Sequence, residues 1–308
     1  MPRAEPMETE RHSPRYSAIE AWSPGDILES MIEGQFAAVA AVRAARPTLE
    51  EAALAIEPRL RDGGRLAYAG AGTSGRLAVQ DGAELMPTFS WPQERLLLLI
   101  AGGRDALIQS VEGAEDESEE AIRLVRAYEM DTRDVLIAVA ASGTTPFTLA
   151  CLREANQCGA LTIAIANNRD TPLLAEAEHP IWLDTGPEPI AGSTRMKAGT
   201  AQRIALNLLS SLVMIRLGRV YRGLMVDLKA VNKKLIRRSE KILLELSGRS
   251  REEVHDALHR AEGNVKTALL LLEGCDLREA ARILDRSDGH LRTAKALIET
   301  RRGPKKQT

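Results

Sequence analysis

The sequence predicts a doubly wound, parallel five-stranded α/β sheet flanked by helices, followed by a small helical C-terminal domain. Two observations predict the sheet. Five short apolar runs recur, RLAYAG (65–70), RLLLLIAGG (95–103), DVLIAVAAS (134–142), ALTIAIAN (160–167) and HPIWLD (179–184), and the stretches between them have room for a crossover helix. The runs are almost continuously hydrophobic, as strands covered on both faces must be. A third observation predicts the helical end: after Gly192 such runs stop, and apolar residues recur at helical spacing.

Taken in order, residues 1–22 open with MPRAEPMETERHSPRYS, which alternates acids, arginines and prolines and lacks the apolar stretch of a secretion signal. They read as a flexible tail. Gly25 to Leu60 reads as two helices, with Ile27, Leu28, Met31, Ile32 and Phe36 at helical spacing and Pro47-Thr48 starting the second. Helices are expected at 76–85, 200–217 and 224–246, and a set of short ones at 249–300. There GNVKTA (263–268) and GHLRTA (289–294) echo one another as a helix-start signal used twice. The domain expectation is therefore 1–22 tail, 23–247 α/β domain, 248–302 helical domain and 303–308 tail.

Composition narrows the function. Forty-one basic residues against 43 acidic ones, a net charge of −2 and 3% aromatics give no positive field and few stacking surfaces for nucleic acid. Apolar runs such as Leu96 to Ala101 are far below the roughly 20 residues that span a bilayer, so no membrane partner is expected. Cys151, Cys158 and Cys275 have neither disulfide nor zinc spacing, and read as reduced packing residues of a cytoplasmic protein.

In such sheets ligands bind beyond the carboxyl ends of the strands. The first run ends in Gly70-Ala71-Gly72-Thr73-Ser74-Gly75 and the third in Ala141-Ser142-Gly143-Thr144-Thr145-Pro146, each leading into a helix. Glycines admit an anion close to the backbone, the helix start offers free N–H groups, and the hydroxyls add donors. Either turn alone reads equally well as a helix cap. Together they make Gly72, Thr73, Ser74, Ser142, Gly143 and Thr145 a candidate phosphate cradle. The Ser193, Thr194 and Lys197 string, at the start of a long helix, is a third candidate for contact with an anionic ligand.

The two turns resemble the sugar isomerase (SIS) fold, a flavodoxin-like sheet that holds phosphosugars on such loops. Longer strings, GAGTSGRLAVQDGAE (70–84), VEGAED (111–116), AASGTTPF (140–147), GPEPIAGSTRMKAGTAQ (186–202) and LMVDLKAVNKKL (224–235), resemble the N-acetylmuramic acid 6-phosphate etherase family from about Ser23 onward. The resemblance implies a C-terminal module similar to a ubiquitin-associated (UBA) fold, a phosphosugar substrate and a homodimer. It also implies removal of D-lactate from the C3 ether of the substrate to leave N-acetylglucosamine 6-phosphate. No metal or cofactor is implied, because the opened sugar's own aldehyde accepts the electrons when the C2 proton leaves.

Matching positions then make Glu84, in Asp81-Gly82-Ala83-Glu84, and Glu115, in Gly113-Ala114-Glu115-Asp116, the catalytic carboxyls. Which is acid and which is base stays open. On composition alone Glu84 is an exposed helix-end acid, and Glu115 belongs to a run of acids typical of a solvated helix start. Many relatives carry Ser before the first glutamate and Cys-Pro after it, where this chain has Ala83 and Leu85-Met86-Pro87, which puts a supporting hydroxyl in doubt. Asn207 and Asn232 are as well suited to buried helix contacts as to sugar contacts. Two alternative functions are a phosphosugar sensor, by likeness to the glucokinase regulatory protein, and an aldose–ketose isomerase of the wider SIS fold.

Overall fold

The computed structural model describes residues 7–228 and 233–302, apart from the side chains of 233, 234, 301 and 302. Two helices, α1 (Pro24–Ala44) and α2 (Arg46–Arg61), precede β1 (Leu66–Gly70), α3 (Gly72–Phe89), β2 (Leu96–Ile100) and α4 (Ser118–Ala127). Then follow β3 (Val135–Val139), α5 (Pro146–Gln157), β4 (Leu161–Ala166), α6 (Pro172–Glu176), β5 (His179–Trp182) and α7 (Lys197–Arg216). All five strands pair in parallel in the order β2-β1-β3-β4-β5. That order reverses direction between β1 and β3, and ligands of such sheets collect at this reversal.

The strand residues are buried for the reason their composition suggested. Ala67, Leu97, Leu136 and Ala164 share one apolar cluster with Phe147 and Leu152 of α5. The opening of α1 is set by Ser23, whose Oγ accepts the Asp26 N–H at 3.2 Å, with Pro24 in the first turn. Along α1, Leu28, Ile32, Phe36 and Val39 form a stripe within one helical face, and they are 61, 50, 71 and 52% exposed.

Three expectations are corrected. Residues 7–22 are not a loose tail: Thr9 is 1% exposed, its N–H donates to Asn168 Oδ1 at 3.1 Å, and its carbonyl accepts the Gly192 N–H at 2.9 Å. The segment holds because it satisfies polar groups that loops near 168 and 192 would otherwise leave buried and unpaired. Strands do not stop at Gly192: an antiparallel pair, β6 (Val220–Tyr221) and β7 (Leu224–Met225), occupies the start of the expected 224–246 helix. Arg222 and Gly223 adopt positive φ at the turn between them, which breaks helical continuity, so α8 begins only at Lys233 and runs to Ser247. The chain also divides within α7 instead of at 247, into Met1–Glu84 with Gln93–Ser210 and Leu85–Pro92 with Ser211–Thr308. Asn232 and the 303–308 tail lie outside the described residues.

The second unit contains β6, β7, α8 and four short helices, α9 (Arg251–Arg260), α10 (Val265–Leu272), α11 (Leu277–Arg286) and α12 (Leu291–Arg302). Ser250 makes a capping box with Glu253, and Asn264 accepts the Thr267 N–H at 2.9 Å, the helix start read from GNVKTA. Leu243, Val254, Leu269 and Ile283 share its core. No described helix is long and apolar enough to cross a membrane.

Within this unit Asp227 Oδ2 lies 3.3 Å from Lys266 Nζ and 3.1 Å from Arg219 Nη1, and Arg219 stacks over Trp91 with 5.0 Å to the ring centre. Burial pulls the Lys266 ammonium below the usual lysine range, against the opposing pull of Asp227. Asp227→Asn removes the shared counter-charge and is expected to lower the unit's stability by about 2–3 kcal/mol, read from hydrogen exchange of α10 amides. Because the unfolded lysine holds its proton to higher pH than folded Lys266, stability should climb as pH rises from the lowered folded pKa toward the ordinary lysine value.

Candidate active site

Gly70 and Gly75 let β1 hand over to α3 at unusually close range. A Cβ on Gly75 would sit 2.7 Å from the Gly70 carbonyl oxygen, and one on Gly70 would sit 2.9 Å from Gly75 Cα. Only glycine allows this approach, and the helix that starts there has first-turn N–H groups, those of Gly72, Thr73 and Ser74, with no partner inside the helix. Gly72 has φ +52°, and Ser74 is buried.

Strand β3 lies beside β1 with Gly70 opposite Val139, so its turn leaves the sheet at the same level. There Ser142 Oγ accepts the Thr144 N–H at 3.2 Å and lies 3.3 Å from Thr145 Oγ1, while Pro146 opens α5. Gly143 turns the chain at φ +70°, and a Cβ on it would strike Thr171 Oγ1 at 2.2 Å. Both hydroxyl-bearing turns therefore stand at the ligand end of the sheet.

The third segment approaches the first. A Cβ on Gly199 would lie 3.5 Å from Thr73 Cγ2, which places the start of α7 beside the start of α3. Glu188, which the sequence reading passed over, caps α7: its carboxylate accepts the Lys197 N–H at 3.2 Å and the Ala198 N–H at 2.8 Å. Burial raises the Glu188 carboxyl above its usual range, opposed by those two hydrogen bonds and by Lys197. Ser193 and Thr194 are half-buried, whereas Lys197 is only 6% exposed, its ammonium pulled down in pKa mainly by desolvation. The cap is thus a carboxylate from upstream and not the Ser193 or Thr194 hydroxyl.

Beyond β2, a 3-10 turn at Ala114–Asp116 packs against α5 and carries Glu115. Glu115 lines a cavity of about 320 Å³ together with Gly72, Arg76, Ser110 and Glu112. Glu84 stands outside it. It is an exposed residue of α3, twelve positions after Gly72, which is about 18 Å along a helix axis.

One turn before Glu84, Asp81 is 2% exposed and accepts the Tyr68 hydroxyl at 2.9 Å, with Arg203 Nη1 at 3.6 Å. Burial raises its carboxyl pKa, while hydrogen bonds from Tyr68, Ser210 and Asn207 and the Arg203 charge work against that rise. Asn207 thus serves a buried carboxylate. The signal was available: Ala78, Asp81 and Leu85 share the buried face of α3. Asn167, Asn168 and Gln202 were also passed over. Gln202 Nε2 donates to Asn167 Oδ1 at 2.9 Å and Asn168 Nδ2 to the Ala141 carbonyl at 2.9 Å, tying α7 and the β3 turn to the end of β4.

A family model described as the glucokinase regulatory protein N-terminal SIS domain matches residues 49–156, and the SIS domain model matches residues 110–212. An N-acetylmuramic acid 6-phosphate etherase of Deinococcus radiodurans is 50% identical over 87% of this chain and 88% of its own. One from Streptomyces coelicolor is 45% identical over 87% and 86%. Among solved structures, a phosphoheptose isomerase from Francisella tularensis is 22% identical, with a TM-score of 0.49, over 63% of this chain and all of its own.

If the two turns hold a phosphoryl group, Ser142→Ala should weaken binding of a phosphorylated sugar by about tenfold, the scale of one hydrogen bond to a charged group. Gly143→Ala should weaken it at least as much. Titration calorimetry measures both, and unchanged dissociation constants would remove the cradle.

Proposed function

The chain belongs to the N-acetylmuramic acid 6-phosphate etherase family, and from that premise we propose how its own residues carry the reaction. The observation that carries the reading is that Glu115 lines one cavity together with Ala71 and Gly72 of the first turn. Gly72, Thr73 and Ser74 with Ser142, Gly143 and Thr145 hold the 6-phosphate, and Ser193 and Thr194 border it from the start of α7. Once the sugar opens, the C1 aldehyde acidifies the C2 proton. A carboxylate takes that proton, the C3–O bond breaks, and the lactyl oxygen leaves with a proton from a carboxylic acid. Water then adds across C2 and C3, giving hydroxyl at C3 and hydrogen at C2. The products are D-lactate and N-acetylglucosamine 6-phosphate.

Glu84 and Glu115 are the carboxyls proposed for these transfers, and their separation bears on how. A substrate anchored at the start of α3 reaches Glu115 of the same chain, while Glu84 stands some three turns farther along that helix. We therefore propose a homodimer in which Glu84 of a second copy closes the site. The exposed Leu28, Ile32, Phe36 and Val39 stripe on α1 supports an apolar contact of that kind. Lys197, being buried, is proposed to act on the phosphate through its charge rather than by direct contact.

The setting is proposed to be cytoplasmic recycling of cell-wall amino sugars. Its support is the phosphorylated substrate and the free thiols of Cys151 and Cys158, the first pushed up in pKa by burial. The 248–302 module is read as similar to a ubiquitin-associated fold on its short, capped helices.

Glu84→Gln and Glu115→Gln should each lower turnover by at least about a hundredfold with substrate binding kept. D-lactate release from N-acetylmuramic acid 6-phosphate is the assay, and a ketose formed without lactate would point to isomerisation instead. Mixing the two inactive variants after subunit exchange should restore about a quarter of wild-type activity, because half the molecules become heterodimers with one intact site. No recovery in molecules shown to exchange would place both carboxyls in one chain.

A further inference from the structure

The substrate of this reaction carries two anionic groups, the 6-phosphate and the carboxylate of the lactyl arm, and the cradle accounts for only one. The cavity that would receive the arm is lined by two carboxylates, Glu112 and Glu115, so an anion entering it meets repulsion unless a cation is present. Arg76 is the cation that lines it. It stands one helical turn after Gly72 on α3, and because side chains on a helix lean toward its N-terminus, its head group returns to the level of the phosphate turn.

The guanidinium is held in place from behind. Nε donates to the Ala106 carbonyl at 2.7 Å and Nη2 to the Gln109 carbonyl at 3.1 Å, both on the segment that leads from β2 toward Glu115. Neither acceptor is charged, and among the described residues no carboxylate lies within ion-pair distance of Arg76. Its positive charge is therefore oriented without a direct ion-pair partner among the described residues, and Nη1 makes no bond to a described residue. A planar donor fixed by two carbonyls, with a free edge in a cavity, is arranged to meet a planar acceptor.

Resting on the etherase reading, we propose that Arg76 binds the carboxylate of the lactyl arm and sets the preference for the ether-bearing sugar phosphate over the same sugar phosphate without it. The contact exists only while the arm is present. After C3–O cleavage the carboxylate departs with the lactate, so the remaining sugar phosphate is held by the cradle alone.

The test compares two ligands on three proteins. Dissociation constants for N-acetylmuramic acid 6-phosphate, on a Glu115→Gln background that stops turnover, and for N-acetylglucosamine 6-phosphate are measured with Arg76 intact, Arg76→Lys and Arg76→Gln. Arg76→Gln should weaken the first ligand at least thirtyfold and leave the second within about twofold. Arg76→Lys, which keeps a positive charge but loses the two carbonyl contacts, should recover at least a third of the lost affinity on a logarithmic scale. Equal weakening of both ligands by Arg76→Gln would show that the residue only holds the 106–109 segment, and would overturn the proposal, as would no weakening of either. Wild-type protein that binds the first ligand but releases no D-lactate would instead overturn the etherase reading, and the ligand comparison separates the two failures.

Discussion

The level register of β1 against β3 governs the rest of the molecule. Gly70 faces Val139 across the pair and Ile100 on its other side, so three strands end in one row with neighbours about 5 Å apart. Each turn that follows begins from that row, and after β1 and β3 the turn leads directly into a helix, α3 at Gly72 and α5 at Pro146. A slip of one residue in either pairing would turn every buried side chain of a strand to the opposite face, which a sheet covered on both sides with this much aliphatic surface does not tolerate. The tight Gly70–Gly75 approach works only because the strands deliver it to that row, with the Ala101 N–H bonded back to the Gly70 carbonyl at 3.1 Å. Geometry of the strands thus comes first, and anion chemistry is laid over it.

The parallel core was readable because its signal is local. RLAYAG and DVLIAVAAS are apolar runs with a break at the end, and the structure realises them as Leu66–Gly70 and Val135–Val139. What escaped was not local. The 224–246 stretch has the periodicity of a helix throughout, and only the positive φ of Arg222 and Gly223, with pairing of Val220 to Met225, takes its first residues into a strand. Residues 7–22 have the composition of a solvated tail, yet Thr9 finds Asn168, which is 159 positions away. Composition cannot report a partner at that distance.

The candidate site divides the same way. Hydroxyls and glycines beside strand ends mark the proposed cradle in the sequence, whereas Asp81, Glu188, Asn167 and Gln202 carry no motif of their own and became visible only through burial and hydrogen bonds. Sequence proximity also misled in one respect. Glu84 belongs to the same string as Gly72, Thr73 and Ser74, but a helix converts that nearness into length, and the string is stretched along an axis when folded. Glu115, from a separate string, is the one that the fold returns to the start of α3.

The anchoring of Thr9 has a practical bearing on how this protein is handled. Its hydrogen bonds join the loop after β4 to the approach of α7, and Glu10 lies against Gly192 just upstream of Ser193. A recombinant form trimmed back to the first long helix for crystallisation would not be a neutral shortening. It would unfasten the loop preceding Ser193 and Thr194, which are proposed to border the cradle, and kinetic constants taken from such a form would describe an altered enzyme.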